Sequence, residues 1–194
     1  MALAGALMVA AGAVPRTAPG GRDAGARDAR ALEALTEQAS EYQVKAAFLY
    51  NIARFVSWPE EVFEGQDARF VFAVVGQDPF DEHLDRALAD RKIGERAVSV
   101  VRHADPKGIR RCQILFVPAT EMKHLPKVLA AVKGEPVLLI GEADGFARKG
   151  GAVNFYIAKK NVRFEINPAE TKRRGLSVSS RLLKLARVIE EERE

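Results

Sequence analysis

Four short apolar runs, each closed by a turn signal and spaced by helical stripes, dominate the middle of this 194-residue sequence. Residues 69–75 (RFVFAVV) are aromatic and β-branched and stop at Gly76. Residues 97–102, 112–117 and 136–140 follow, the last closed by Gly141. Runs this short and apolar on both sides read as strands covered on both faces. After the first, Asp78 and Pro79 suit an N-cap and first helical position, and Phe80, Leu84 and Leu88 form an i, i+4, i+8 stripe. Residues 120–132 read as a helix delayed or kinked at Pro126. Residues 152–158 and 162–166 form a hairpin joined through Lys159-Lys160-Asn161. Val162, Phe164 and Ile166 face one side of it, Arg163 and Glu165 the other. A closing helix is expected over 177–190, with Ser177 as N-cap and Val178, Leu182, Leu185 and Ile189 as its apolar stripe. This order specifies the α/β class. It is a three-layer αβα sandwich, a mostly parallel sheet with a C-terminal antiparallel hairpin, Rossmann-like but without a dinucleotide motif.

Three parts precede or make up this body. Residues 1–13 are apolar and small and carry an A-x-A-like site at Ala11-Gly12-Ala13, so they read as a signal peptide, although no Lys or Arg precedes the apolar run. A buried first helix or an uncleaved anchor is the alternative. Residues 14–39, rich in Pro, Gly, Ala and cancelling charges, read as a flexible linker, with room for a frayed helical turn or two over 31–39. Residues 40–190 form one domain. It opens with a helix: Ser40 and Gln43 fit a capping box, Val44, Phe48, Ile52 and Phe55 recur at helical spacing with Leu49 and Val56 beside them, and Pro59 ends the helix near Val56 or Ser57.

Composition narrows the chemistry. Lys plus Arg number 30 against 26 acidic residues, a net charge of +4. That permits an acidic partner but does not single out nucleic acid. One cysteine excludes an internal disulfide and a cysteine-rich zinc site. No metal or cofactor is expected. Gly76-Gln77-Asp78-Pro79 lacks the G-x-G-x-x-G glycines and puts a carboxylate where phosphate would bind. No phosphate-loop or G-x-S-x-G motif is present, so no catalytic residue is assigned. Asp81, Glu82, His83 and Asp85 read as a solvated helix face. Cys112 reads as a buried thiol. Lys172, Arg173, Arg174, Arg181, Lys184 and Arg187 form a basic surface, either a solvated face or a site for an acidic partner or lipid head groups. In the glycine-rich loop 141–151, Phe146 is either a plug into the core or an exposed anchor for a partner.

Several segments together resemble the YfiR/HmsC-like periplasmic proteins. They are Val44 to Pro59 (VKAAFLYNIARFVSWP), Gly76-Gln-Asp-Pro-Phe80, Cys112-Gln-Ile-Leu-Phe116, Gly150 to Phe155 (GGAVNF), Val162 to Asn167 (VRFEIN) and Gly175 to Ala186 (GLSVSSRLLKLA). The resemblance runs over about 42–189. It implies a regulatory binding protein of the periplasm, not an enzyme. Such a protein represses an inner-membrane diguanylate cyclase by binding its periplasmic sensory domain, so that release raises cyclic-di-GMP and promotes biofilm. It also implies a homodimer. The candidate partner surface is the Asn154–Ile166 hairpin with its neighbouring loop: Phe146, Phe155, Arg163, Glu165 and Ile166. The alternative is a periplasmic small-molecule receptor of the same fold, with a pocket near the carboxyl edge of the sheet. Some relatives carry cysteine pairs; Cys112 matches one such position without a mate.

Overall fold

The structure is a computed structural model that describes residues 21–65, 68–109 and 111–189. The signal-peptide expectation, on residues 1–13, lies outside these. The chain divides into two units, Met1–Glu37 and Gln38–Glu194. The described part of the first is helical from Gly21, the beginning of α1 (Gly21–Ala53). The helix thus covers residues 21–30, read as linker, as well as the 31–39 stretch, where the sequence has room for a helical turn or two. Their Ala, Arg, Leu and Glu content favours helix more than the interspersed glycine opposes it. Ser40 therefore lies inside α1 and does not cap it.

In the second unit α1 buries Lys45, Ala46, Leu49, Ile52 and Ala53, while Val44 is exposed and Phe48 and Phe55 are half-buried. The buried stripe is turned by about one residue from the one the spacing suggests. The helix also stops earlier than expected, because the backbone of Val56–Ser57 is a short strand, β1. Then follow β2 (Phe70–Val75), α2 (His83–Leu88), β3 (Lys92–Ile93), β4 (Arg96–His103), β5 (Ile114–Val117), α3 (Leu125–Ala131), β6 (Leu138–Gly141), β7 (Val153–Ala158) and β8 (Asn161–Ile166). The chain closes with α4 (Pro168–Arg173), β9 (Ser177–Val178), α5 (Ser180–Leu185) and β10 (Arg187–Val188).

The large sheet has the order β10-β8-β7-β6-β5-β2-β4-β3, and a separate antiparallel pair joins β1 to β9. Within it β7–β8 and β3–β4 are antiparallel and every other pair is parallel. Counted along the chain, the five strands β2, β4, β5, β6 and β7 lie in the order 2-1-3-4-5. That is a doubly wound sheet whose winding reverses between β2 and β5. Alternation along the strands builds two cores. Phe70, Phe72, Val74, Ile114, Phe116, Leu138 and Ile140 point to α1, α2 and α5. Ala73, Val75, Leu115, Val117 and Leu139 point to α3. The sheet thus separates two helical layers, the αβα class read from the sequence.

Two local readings need correction, and between them the Pro126 alternatives resolve to a delayed helix. Asp78 does not cap a helix at Pro79: its Oδ1 accepts from the Phe80 N–H at 2.8 Å in a turn, and α2 starts at His83. The stripe survives, with Phe80, Leu84 and Leu88 all buried. Pro126 delays α3 behind a 3-10 helix over Ala119–His124, since a proline fits the first turn but not the interior. The closing helix shrinks to α5, capped by Ser179, whose Oγ accepts from the Arg181 N–H at 3.1 Å. Ser177 instead pairs with Ser57, and Arg187–Val188 run beside Glu165–Ile166. Two partially exposed backbones outcompete helix continuation here by supplying ladder partners. The sequence reading missed α4, although Asn167 followed by Pro168 is an N-cap and first-turn pair: Asn167 Oδ1 accepts from Ala169 and Glu170 N–H at 3.1 and 3.2 Å.

Candidate functional site

The hairpin and β10 form one end of the sheet. Their register puts Asn154, Glu165 and Arg187 in one row across three strands, with Tyr156 and Arg163 in the next. The alternate residues face α1, where Phe48 lies 6.1 Å from Phe155 and 5.6 Å from Phe164, ring centre to ring centre. The two-residue turn Lys159-Lys160 has φ of 51° and 62°, the left-handed pair that a tight hairpin requires.

Of the five sequence candidates, Arg163 alone is exposed. Phe155 and Ile166 are core residues, 1% and 0% exposed. Period-two alternation turns them toward α1. Glu165 is 5% exposed: its Oε1 accepts from Asn154 Nδ2 at 3.2 Å, and its Oε2 from Arg187 Nε at 3.0 Å. The Arg187 guanidinium lies 4.3 Å from the Tyr156 ring centre, a cation–π contact. Paired with Glu165, its pKa is raised further above the ordinary arginine value. The outward surface of this end therefore consists of Tyr156, Arg163 and Arg187 with the turn lysines. Ile157, Leu185 and Val188 are large apolar side chains exposed at the same sheet end.

Phe146 is the plug of the two alternatives, fully buried among Leu139, Val128 and Leu125. A Cβ on Gly151 would collide with its ring, and one on Gly141 would sit 2.7 Å away, so these glycines let the ring in. The start of the same loop is fixed by Glu142. Its carboxylate accepts from Lys45 Nζ at 2.6 Å, Tyr42 Oη at 3.1 Å and the Ala119 N–H at 3.2 Å. Lys45 also pairs with Glu41. The Lys45 and Glu142 side chains are 4% and 7% exposed. Burial, then the Glu142 carboxylate, pushes the Tyr42 phenol well above its ordinary value. Sequence reasoning passed over Lys45 and Glu142. The available signal was Lys45's place on the buried phase of α1 with Leu49 and Ile52.

Cavities lie at both edges of the sheet. At the carboxyl edge, where the receptor reading expected a pocket, a small one of about 220 Å³ is lined by Asp105, Lys107, Glu121, His124 and Lys127 among others. The larger, about 720 Å³, lies at the opposite, amino edge. Its floor is Cys112, Gln113 and Val137; its walls are the Pro59–Val62 segment, the end of α3 and the end of α4. Cys112 is buried, and desolvation, followed by the charge of Glu135, pushes its thiol up to about 12. The basic cluster of the sequence is split: Arg173 and Arg174 line this cleft, whereas Arg187 belongs to the hairpin end. Asp78 and Asp85, on the carboxyl side, both pair with Arg102.

A doubly wound sheet with an antiparallel end defines an α/β domain of the αβα class. The YfiR/HmsC-like family profile matches residues 42–187, and the chain belongs to that family. At the family level this supports a periplasmic regulator of diguanylate cyclases, in a family of regulators rather than enzymes. None of the described helices is long and apolar enough to cross a membrane. Among solved structures, the chain is similar to an ABC domain from Streptococcus pneumonia in complex with L-Trp, at 13% identity and a TM-score of 0.48, over 62% of this chain and 55% of that one. It is also similar to a conserved domain protein from Vibrio cholerae, at 9% identity and a TM-score of 0.47, over 61% of this chain and 54% of that one. The chain thus spans about half the length of the solved structures it matches.

Proposed function

We propose that this protein is exported to the periplasm and represses an inner-membrane diguanylate cyclase by binding its periplasmic sensory domain. The match of the family profile over the folded body carries the reading. The contact surface is the outward face of the hairpin end: Arg163, Tyr156 and Arg187, with Lys159 and Lys160 at the tip. Phe155 and Ile166 support that surface from behind, and Glu165 holds Arg187 in it; Phe146, the remaining candidate, belongs to the core on the α3 side. Its exposed cations select an acidic partner face, so capture weakens as salt rises. Repression follows from linkage: binding the inactive sensor more tightly than the active one shifts the equilibrium by that difference.

The decisive experiment deletes the gene and measures cyclic-di-GMP. A rise supports repression, and an unchanged level under all growth conditions tried removes the cyclase reading. A second arm immobilises the periplasmic domain of the cyclase and measures capture of Arg163→Glu. The variant should bind at least about tenfold more weakly, a loss of ~1.4 kcal/mol, with an unchanged melt because Arg163 is exposed. Undiminished capture would place the contact elsewhere.

A further inference from the structure

We propose that the cleft at the amino edge of the sheet binds a small organic anion, one carboxylate head on an apolar body, with the head held by the Arg174 guanidinium. The cleft volume of about 720 Å³ falls in the range of small-molecule sites. Pro59, Val62, Ile109 and Val137 give it apolar walls.

Three arginines line it, and they differ in one respect. Arg111 is paired with Glu64, and Arg173 with Glu170 at 2.5 Å. Arg174 has no carboxylate partner among the described residues. One Nη donates to the Val132 carbonyl at a long 3.4 Å, and its Nε is buried with no acceptor. Glu170 is near enough to be felt, but its carboxylate is engaged by Arg173. A buried donor left unmade costs free energy, and an unpaired cation costs more. A carboxylate in the cleft supplies the guanidinium with the charged partner that the described residues do not. The other buried side-chain atom without a partner among the described residues, Asn154 Oδ1, lies within the sheet and lines neither cavity.

The charge of the ligand is limited by the same walls. Glu61 and Glu135 also line the cleft. They repel a polyanion, which selects a single negative charge. The lining comes from four separate segments: 59–62, 109 with 111–113, 131–137 and 173–175. The first is adjacent to β1 and the last to β9, and those strands pair. A ligand therefore adds to this two-residue ladder and to the Arg174–Val132 hydrogen bond in holding these segments together.

The test titrates the whole chain, labelled for amide NMR, with benzoate, phenyl phosphate and benzyl alcohol. Benzoate should give saturable shifts at Cys112, Val137 and Gly175. Benzyl alcohol, of similar shape without the charge, should bind at least about tenfold more weakly. Phenyl phosphate, doubly charged, should also bind more weakly. Arg174→Met should reduce benzoate affinity by about tenfold or more, and Arg174→Lys should retain part of it. Ala131→Trp, at an exposed position on the cleft wall, should block binding while leaving Arg174 and the core untouched. The assignment is overturned by an absence of saturable shifts, by equal binding of benzyl alcohol, or by undiminished binding in Ala131→Trp. Tighter binding of phenyl phosphate overturns the carboxylate head. None of these readouts depends on the cyclase, so they stand or fall separately from the repressor reading.

Discussion

At the carboxyl edge of the sheet Lys45 is buried against Glu142 and Glu41, and the far oxygen of Glu142 is occupied by Tyr42 and the Ala119 amide. At the amino edge Arg174 is half-buried with one long bond to a carbonyl and an Nε that meets nothing. Both regions take a cation out of water. The first gives the ammonium two carboxylates and the face of the Tyr42 ring, and it sits where a loop must be fixed to a helix. The second leaves bonds unmade, and it borders an open cleft. The difference separates a polar group that serves the fold from one left available for a ligand, a distinction that residue type alone does not make.

The largest expected break in this contrast is Lys45→Met. It strands the Glu142 carboxylate in the interior and should cost about 3–5 kcal/mol in denaturant unfolding. Pairing it with Glu142→Leu should recover much of that loss; a double variant as weak as the single one would show that packing, not charge, holds the loop. The next effect is chemical. With its thiol pushed up to about 12 by burial, Cys112 should be alkylated by iodoacetamide at pH 8 some three orders of magnitude more slowly in the folded chain than in denaturant. Rapid native modification would show the cleft floor to be open.

Tyr42 tests the carboxyl-edge network by pH. A phenol raised in the folded state contributes stability in full below the unfolded value near 10, and that contribution is lost as pH rises above it. Ultraviolet titration should therefore show a tyrosine silent above pH 10 until the chain unfolds, and Tyr42→Phe should remove that silent signal. The smallest effect sharpens the comparison most. Arg174→Met removes a charge that the fold does not satisfy, so stability should change by no more than about 1 kcal/mol in either direction. A loss as large as that of Lys45→Met would erase the distinction between the two edges.

The fold class was legible because strand alternation writes itself into sequence. Phe70, Phe72 and Val74 against Ala73 and Val75 already divide two cores. The helix boundaries were less legible. Ser40 looks like an N-cap by its neighbours, yet the preceding residues favour helix strongly enough to run through it. Ser177 looks like another, but the backbone of Ser57 offers it a ladder partner that no local pattern announces.

Sequence by itself determined a parallel α/β body, its hairpin, its family signature and the lack of nucleotide motifs. These are local or periodic properties, set by what a few neighbouring residues can adopt. Tertiary structure alone decided which polar groups are paired. Glu142 lies 97 residues from Lys45 and Arg174 lies 42 from Val132. Whether a buried charge finds its partner depends on atoms brought together from across the chain, at separations over which no sequence period carries information.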